Sequence, residues 1–206
     1  MQVEHYTQPR ELNDARIVRS VAHKQWGDTT VFLGQVRVTQ QVIDFRRVQQ
    51  FREEVLGVED LDLPAQTFDT VALWWEVPSG ILAQVQRRRL DVGGGLHAVE
   101  HATIGLLPLF AMCDRWDIGG LSTPHHPDTD TTLVLIYDAC PGGVGIAEKG
   151  FDLLAELWQA TYEAVRDCPC EDGCPSCIQS PKCASNNEPL DKQAAVLILA
   201  EILKRQ

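Results

Sequence analysis

The chain has 206 residues, enough for one large domain or two small ones with a real hydrophobic core. Its 44% hydrophobic and 23% charged content is that of an ordinary globular chain, and no run of about 18 apolar residues is present to span a membrane. A net charge of −11, from 18 Lys and Arg against 29 Asp and Glu, argues against a free-standing nucleic-acid binder, which carries a basic face. The opening residues MQVEHYTQPRELND are polar and lack the apolar core of a signal peptide, so a cytoplasmic location is expected.

Residues 29–51 alternate apolar and polar side chains (Val31 and Leu33, Val36 and Val38, Ile43 and Phe45), the period-2 pattern of half-buried strands. A phase break near Gly34 predicts a bulge. LDLPAQT reads as a connector and FDTVALWWEVP as a strand closed by Pro78. SGILAQVQRRRL is a short helix, ending in the basic run Arg87, Arg88 and Arg89. GGGLHAVEHATIGLLPLFAMC is a longer helix, with Leu96, Val99, Thr103, Leu107 and Phe110 on one stripe and Pro108 kinking or ending it.

RWDIGGLSTPHHPDTD reads as a loop, and TTLVLIYDA as a strand buried on both faces. CPGGVG then opens one long helix, GIAEKGFDLLAELWQATYEAVRD, and a last helix covers about 189–204. The expected fold is α+β: a small antiparallel β region over 1–78, then a helical domain over 79–206 that carries the buried strand and, through the cysteines between 168 and 183, a zinc-binding loop.

The strongest chemical signal is Cys168-Pro-Cys170-Glu-Asp-Gly-Cys174-Pro-Ser-Cys177, followed by Cys183. A C-x-x-C pair closed by a tight turn offers two sulfurs to one ion, and zinc takes four such ligands in a tetrahedron. Five clustered cysteines in a reducing compartment point to metal rather than disulfides. Cys168, Cys170, Cys174 and Cys177 are the expected ligands of one structural zinc, with Cys183 the alternative fourth.

Three other motifs are weaker. His97-Ala-Val-Glu100-His101 matches the H-x-x-E-H of a zinc peptidase class, but no third ligand is evident, and a hydrogen-bonded, packed helix is the better expectation. The Gly142, Gly143 and Gly145 turn opens a helix and could aim N–H groups at a phosphate, although it matches no nucleotide fingerprint. His125, His126, Asp128 and Asp130 could hold a second metal, yet loop composition explains them better.

GLHAVEH, PLFAMCDRWDIGGLSTPHHP, LIYDACPGGVGIAEKGF and CPCEDGCPSCIQSPKCASNNEPLDK together resemble the C-terminal zinc-binding region of MrfA-like DNA repair helicases. The likeness runs from about residue 66 to the end, and more weakly through the N-terminal strands. It implies zinc held by the cysteines, and a place after a superfamily 2 motor moving 3′ to 5′ on single-stranded DNA. The chain has no Walker A lysine loop and no room for two RecA-like domains, so no ATPase activity is expected of it alone. The implied function is a zinc-stabilised accessory module that packs on the motor domains of the same protein and assists engagement of single-stranded DNA. Arg87, Arg88, Arg89, Gly142, Gly143 and Gly145 are the expected contacts. The alternative is a stand-alone zinc hydrolase using His97, Glu100 and His101.

Overall fold

The computed structural model describes residues 5–52 and 54–204. Residues 1–4, which begin the polar N-terminus, and the extreme ends of the 1–78 and 79–206 divisions lie outside the described residues. Among the described residues no helix is long and apolar enough to cross a membrane.

Six antiparallel strands form one sheet: β1 (His5–Trp26), β2 (Thr29–Gln49), β3 (Val55–Asp60), β4 (Gln66–Glu76), β5 (Ile118–His126) and β6 (Thr131–Asp138). The order is β1-β2-β4-β6-β5, with β3 also pairing β2. Helices α1 (Ser79–Arg87), α2 (Val92–Leu106), α3 (Pro108–Ala111), α4 (Ile146–Asp152), α5 (Leu154–Asp167) and α6 (Lys192–Leu203) complete the fold. The α+β class stands. Residue 78 is where strands first give way to helices along the chain, but the sheet itself runs across it, because β4 pairs with β6.

Alternation along the strands builds two cores. Leu73, Trp75, Val134 and Ile136 join Leu96, Val99, Leu157, Trp158 and Ile198 from the helices. Their neighbours Ala72, Trp74, Leu133, Leu135 and Tyr137 face the opposite way and pack with Ala15, Val36 and Val38, all from strands. That second core is enclosed because the sheet curls back on itself. His126 Nε2–H donates to the Ala15 carbonyl at 2.9 Å, and Asp128 accepts the Ile17 N–H at 2.8 Å while pairing with Arg16. β6 is therefore buried on both faces, as its continuous apolar run predicts.

The phase break near Gly34 has a different cause from a bulge in β2. β2 pairs with β4 without interruption from Val31 to Gln40, and the register shift lies in β1, between Ser20 and Ala22. The apolar phase changes because Val31 meets the helices whereas Val36 and Val38 face the strand-only core. Gly34 shares the parity of Val36, and a Cβ there would stand 2.2 Å from the Arg19 carbonyl oxygen and 2.8 Å from Trp74.

Three further differences correct the sequence reading. The segment read as a loop, RWDIGGLSTPHHPDTD, contains a 3-10 turn and strand β5, whose short polar and glycine residues hide the strand pattern. The long helix is two helices broken at Leu153 (φ −100°, ψ 29°). The last helix begins at Lys192, with Asp191 accepting the Ala194 N–H as its N-cap, after a cis bond between Glu188 and Pro189.

Candidate metal centre

The cysteine loop leaves α5 at Asp167, and Pro169 keeps Cys168 to Cys170 extended. Gly173 then turns the chain with φ 116°, a value L side chains rarely adopt. The Cys174 carbonyl accepts N–H groups from Cys177, Ile178 and Gln179 at 3.0, 3.1 and 3.1 Å, which closes the C-x-x-C turn.

These constraints bring four sulfurs together. Cys168 Sγ lies 3.5 Å from Cys174 Sγ, Cys170 Sγ 3.5 Å from Cys177 Sγ, and Cys174 Sγ 3.8 Å from Cys177 Sγ. A tetrahedron with Zn–S bonds of ~2.3 Å has edges of about 3.8 Å, so the cluster fits one zinc with little adjustment. The cysteines form no disulfides. A hydrogen bond from the Ser176 N–H, helped by neighbouring thiols, lowers Cys174 to about 7. Burial pushes Cys177 up to about 12, so its thiolate depends on a cation close by.

Lys192 supplies positive charge from the first turn of α6. Its ammonium donates to the Cys168 and Cys170 carbonyls at 2.7 and 2.5 Å and lies 3.5 Å from Cys170 Sγ, although the residue is only 5% exposed. An ion with four thiolates carries a net charge of −2, which this buried ammonium offsets. No local pattern marks Lys192, whose role depends on α6 packing beside the loop. Lys192→Met is expected to lower zinc affinity by about 10–100-fold, the usual effect of removing an outer-shell partner. Competition with a chromogenic chelator measures it, and unchanged affinity would remove Lys192 from the site.

Cys183, the alternative fourth ligand, is placed elsewhere. Its Sγ lies 3.4 Å from His97 Nε2, and His97, His101 and Cys183 form a separate cluster. Burial works against a Cys183 thiolate, but hydrogen bonds from His101, His97, Ser185 and the Asn187 N–H together bring it down to about 5. Burial also opposes a charge on His97, yet its bonds to Cys183 and the Pro189 carbonyl, with Glu100 nearby, leave it raised. Burial raises Glu100, whose carboxylate accepts the Ser122 hydroxyl at 2.6 Å. Ser122 belongs to β5, the strand the sequence hides.

The glycine turn is not free to hold a phosphate. The buried Asp138 carboxylate accepts N–H groups from Val144, Gly145, Ile146 and Ala147 at 2.6, 3.0, 3.2 and 2.8 Å. Gly142 and Gly143 donate to the carbonyls of Asp69 and Cys140. The N–H groups of Gly142, Gly143 and Gly145, expected to meet nucleic acid, are therefore engaged within the chain, because the turn already binds an internal anion. An aspartate just ahead of a glycine turn that opens a helix was the available signal.

Arg87, Arg88 and Arg89 are exposed at the end of α1, with Arg89 in a left-handed conformation. His126 and Asp128 are engaged with β1, and His125 lies 3.5 Å from Asp130, so this loop closes the sheet and does not gather metal ligands.

A four-thiolate cluster braced between helices, beside a curled antiparallel sheet, defines a zinc-binding module. The MrfA Zn-binding domain family matches residues 99–178. The uncharacterized protein MJ1572.1 of Methanocaldococcus jannaschii is 39% identical over 111 residues, covering 52% of this chain and 99% of that protein. The ATP-dependent helicase HRQ1 of Saccharomyces cerevisiae is 26% identical over 216 residues, covering 98% of this chain and 20% of the helicase. The solved structure of the DUF1998 helicase MrfA bound to DNA has the same fold over 98% of this chain and 26% of its own, with TM-score 0.65 and 24% identity. The chain belongs to the MrfA Zn-binding domain family, and it spans about a fifth to a quarter of these helicases.

Proposed function

We propose that this chain is the zinc-stabilised accessory module of a 3′-to-5′ ATP-dependent DNA repair helicase, packing on the motor domains and assisting their hold on single-stranded DNA. The observation that carries this reading is the far end of the β1–β2 hairpin with β3. Tyr6, Leu12, Phe51, Val55, Leu56 and Val58 are all at least 45% exposed there, with Phe51 at 91%. A concentration of apolar side chains on so slender an element suits burial against a larger body. The relatives that extend well beyond this region are helicases, which makes the motor the fitting partner.

Arg87, Arg88 and Arg89 are the proposed basic contact with the strand. The hydrolase alternative needs a glutamate free to take up a proton, but Glu100 is buried and held by Ser122.

With a net charge of −11, the isolated chain is expected to bind single-stranded DNA weakly, because phosphate affinity comes from neutralising lysines and arginines. Tethered to a motor, even a weak contact acts at an effective concentration of roughly millimolar order. The test compares the full-length helicase with versions lacking the module or carrying Arg87→Ala, Arg88→Ala and Arg89→Ala together. Deletion is expected to reduce DNA-stimulated ATPase and unwinding, and the triple change to weaken strand binding. Survival of both activities after deletion overturns the accessory reading.

A further inference from the structure

His97 and His101 lie one turn apart on α2, and the loop that follows the four-thiolate cluster returns to place Cys183 beside them. One ligand atom from each of the three lies within 4.8 Å of the others. The Cys183 Sγ to His97 Nε2 separation of 3.4 Å is close to the ~3.5 Å edge expected between sulfur and nitrogen on one tetrahedral zinc.

The atoms behind these donors are also set for a metal. His97 Nδ1–H donates to the Pro189 carbonyl and His101 Nδ1–H to the Ile178 carbonyl, each at 2.9 Å. A carbonyl can only accept, so both rings carry a proton on Nδ1, and an ion taking the place of the Nε2 protons shared with Cys183 finds both Nε2 lone pairs facing it. Metal-binding histidines are oriented in this way by a backbone acceptor on the far nitrogen. The Cys183 sulfur accepts the Asn187 N–H at 3.2 Å and has the Ser185 hydroxyl at 3.2 Å, contacts that favour a thiolate. Histidines serving only as packing would not need three donors converging on one point, two of them anchored from behind.

We infer that His97, His101 and Cys183 bind a second metal ion of the zinc class, with a coordination position left open to the adjoining cavity. That cavity, of about 600 Å³, is lined by all three residues and also by Glu100, Ser122 and Lys182. Three protein donors leave a four-coordinate ion one place for water or a small polar ligand. The two sites bracket one segment: Cys177 belongs to the first, the next residue, Ile178, orients His101 of the second, and Cys183 closes it. The inference is independent of any role on DNA.

The test is metal analysis of the purified 206-residue chain after removal of loosely held ions. Two zinc ions per chain are expected, falling to one in Cys183→Ser and in the double variant His97→Ala with His101→Ala. Cobalt substitution gives a second measurement. Four thiolates at the first site and one at the second make five, so Cys183→Ser should remove about one fifth of the sulfur-to-cobalt charge-transfer intensity. The wild-type count stands even where a variant folds poorly. One ion per wild-type chain overturns the inference and leaves a metal-free thiolate–imidazole cluster, and two ions retained in folded Cys183→Ser overturn it by removing Cys183 from the ligands.

Discussion

Replacing Cys174 and Cys177 together by serine is expected to remove the ion from the four-thiolate loop and to unfold the segment between α5 and α6. These residues close the C-x-x-C turn and supply two of the four sulfurs that gather the Cys168–Cys177 part of the loop, which Lys192 and a few turn hydrogen bonds also hold. Ile178 and Cys177 are buried in the helical core, so a melted loop exposes apolar surface and frees α6 from α5. Zinc bound to thiolates contributes ~10–16 kcal/mol of binding free energy in small zinc modules at neutral pH, and folding of the loop is coupled to it. The fall in melting temperature should therefore exceed that of an ordinary core substitution, which costs about 0.5–3 kcal/mol. A strong chelator should reproduce it in the unaltered chain. Elemental analysis alongside thermal unfolding gives the answer, and full zinc retention in the double variant would remove these cysteines from the ligand set.

Asp138→Ala should be the most damaging single substitution outside the cysteines. The aspartate is fully buried at the end of β6, and its carboxylate alone receives four N–H groups from the turn into α4. Removing it orphans those donors in a place water reaches poorly, and an unsatisfied buried donor costs about 1–3 kcal/mol. Asp138→Asn should cost less, because the amide oxygen still accepts while its NH₂ faces donors. Urea unfolding of the three proteins measures the series. A loss below ~1 kcal/mol for Asp138→Ala would show that the turn does not depend on its internal anion.

Asp138 also shows where reading the sequence stops. CPGGVG after a buried strand announces a turn with free N–H groups, and that much is local. Whether the anion is a bound phosphate or the chain's own carboxylate depends on how Asp138 leaves the sheet, which is a tertiary matter. The same holds for Cys183. Its spacing from Cys177 places it in the cysteine loop, yet the fold carries it to α2, where it completes a trio with two histidines 82 and 86 positions away in sequence.

Strand β5 escaped for another reason. Ile118 to His126 contains two glycines, a serine, a threonine and a proline, so it has no apolar alternation, and it becomes a strand by pairing with β6. In the same way Leu153 interrupts a helical apolar pattern that by itself runs on unbroken.

What the sequence by itself determined is the chemistry carried by short spacings and strong periodicities. The close spacing of Cys168, Cys170, Cys174 and Cys177, with proline and glycine between them, announces a zinc cluster, while Cys183 stays open as the fourth ligand. β2, α2 and β6 follow from an apolar period of two, one of 3.6 and a continuous apolar run, patterns that each element expresses alone. Only the tertiary structure decided that strands on both sides of residue 78 join one curled sheet, that the glycine turn is already filled, and that Lys192 and Cys183 take the places they do. Those outcomes depend on groups far apart in the chain meeting under burial, where an unpaired charge or N–H is costly and a partner must be found wherever packing supplies one.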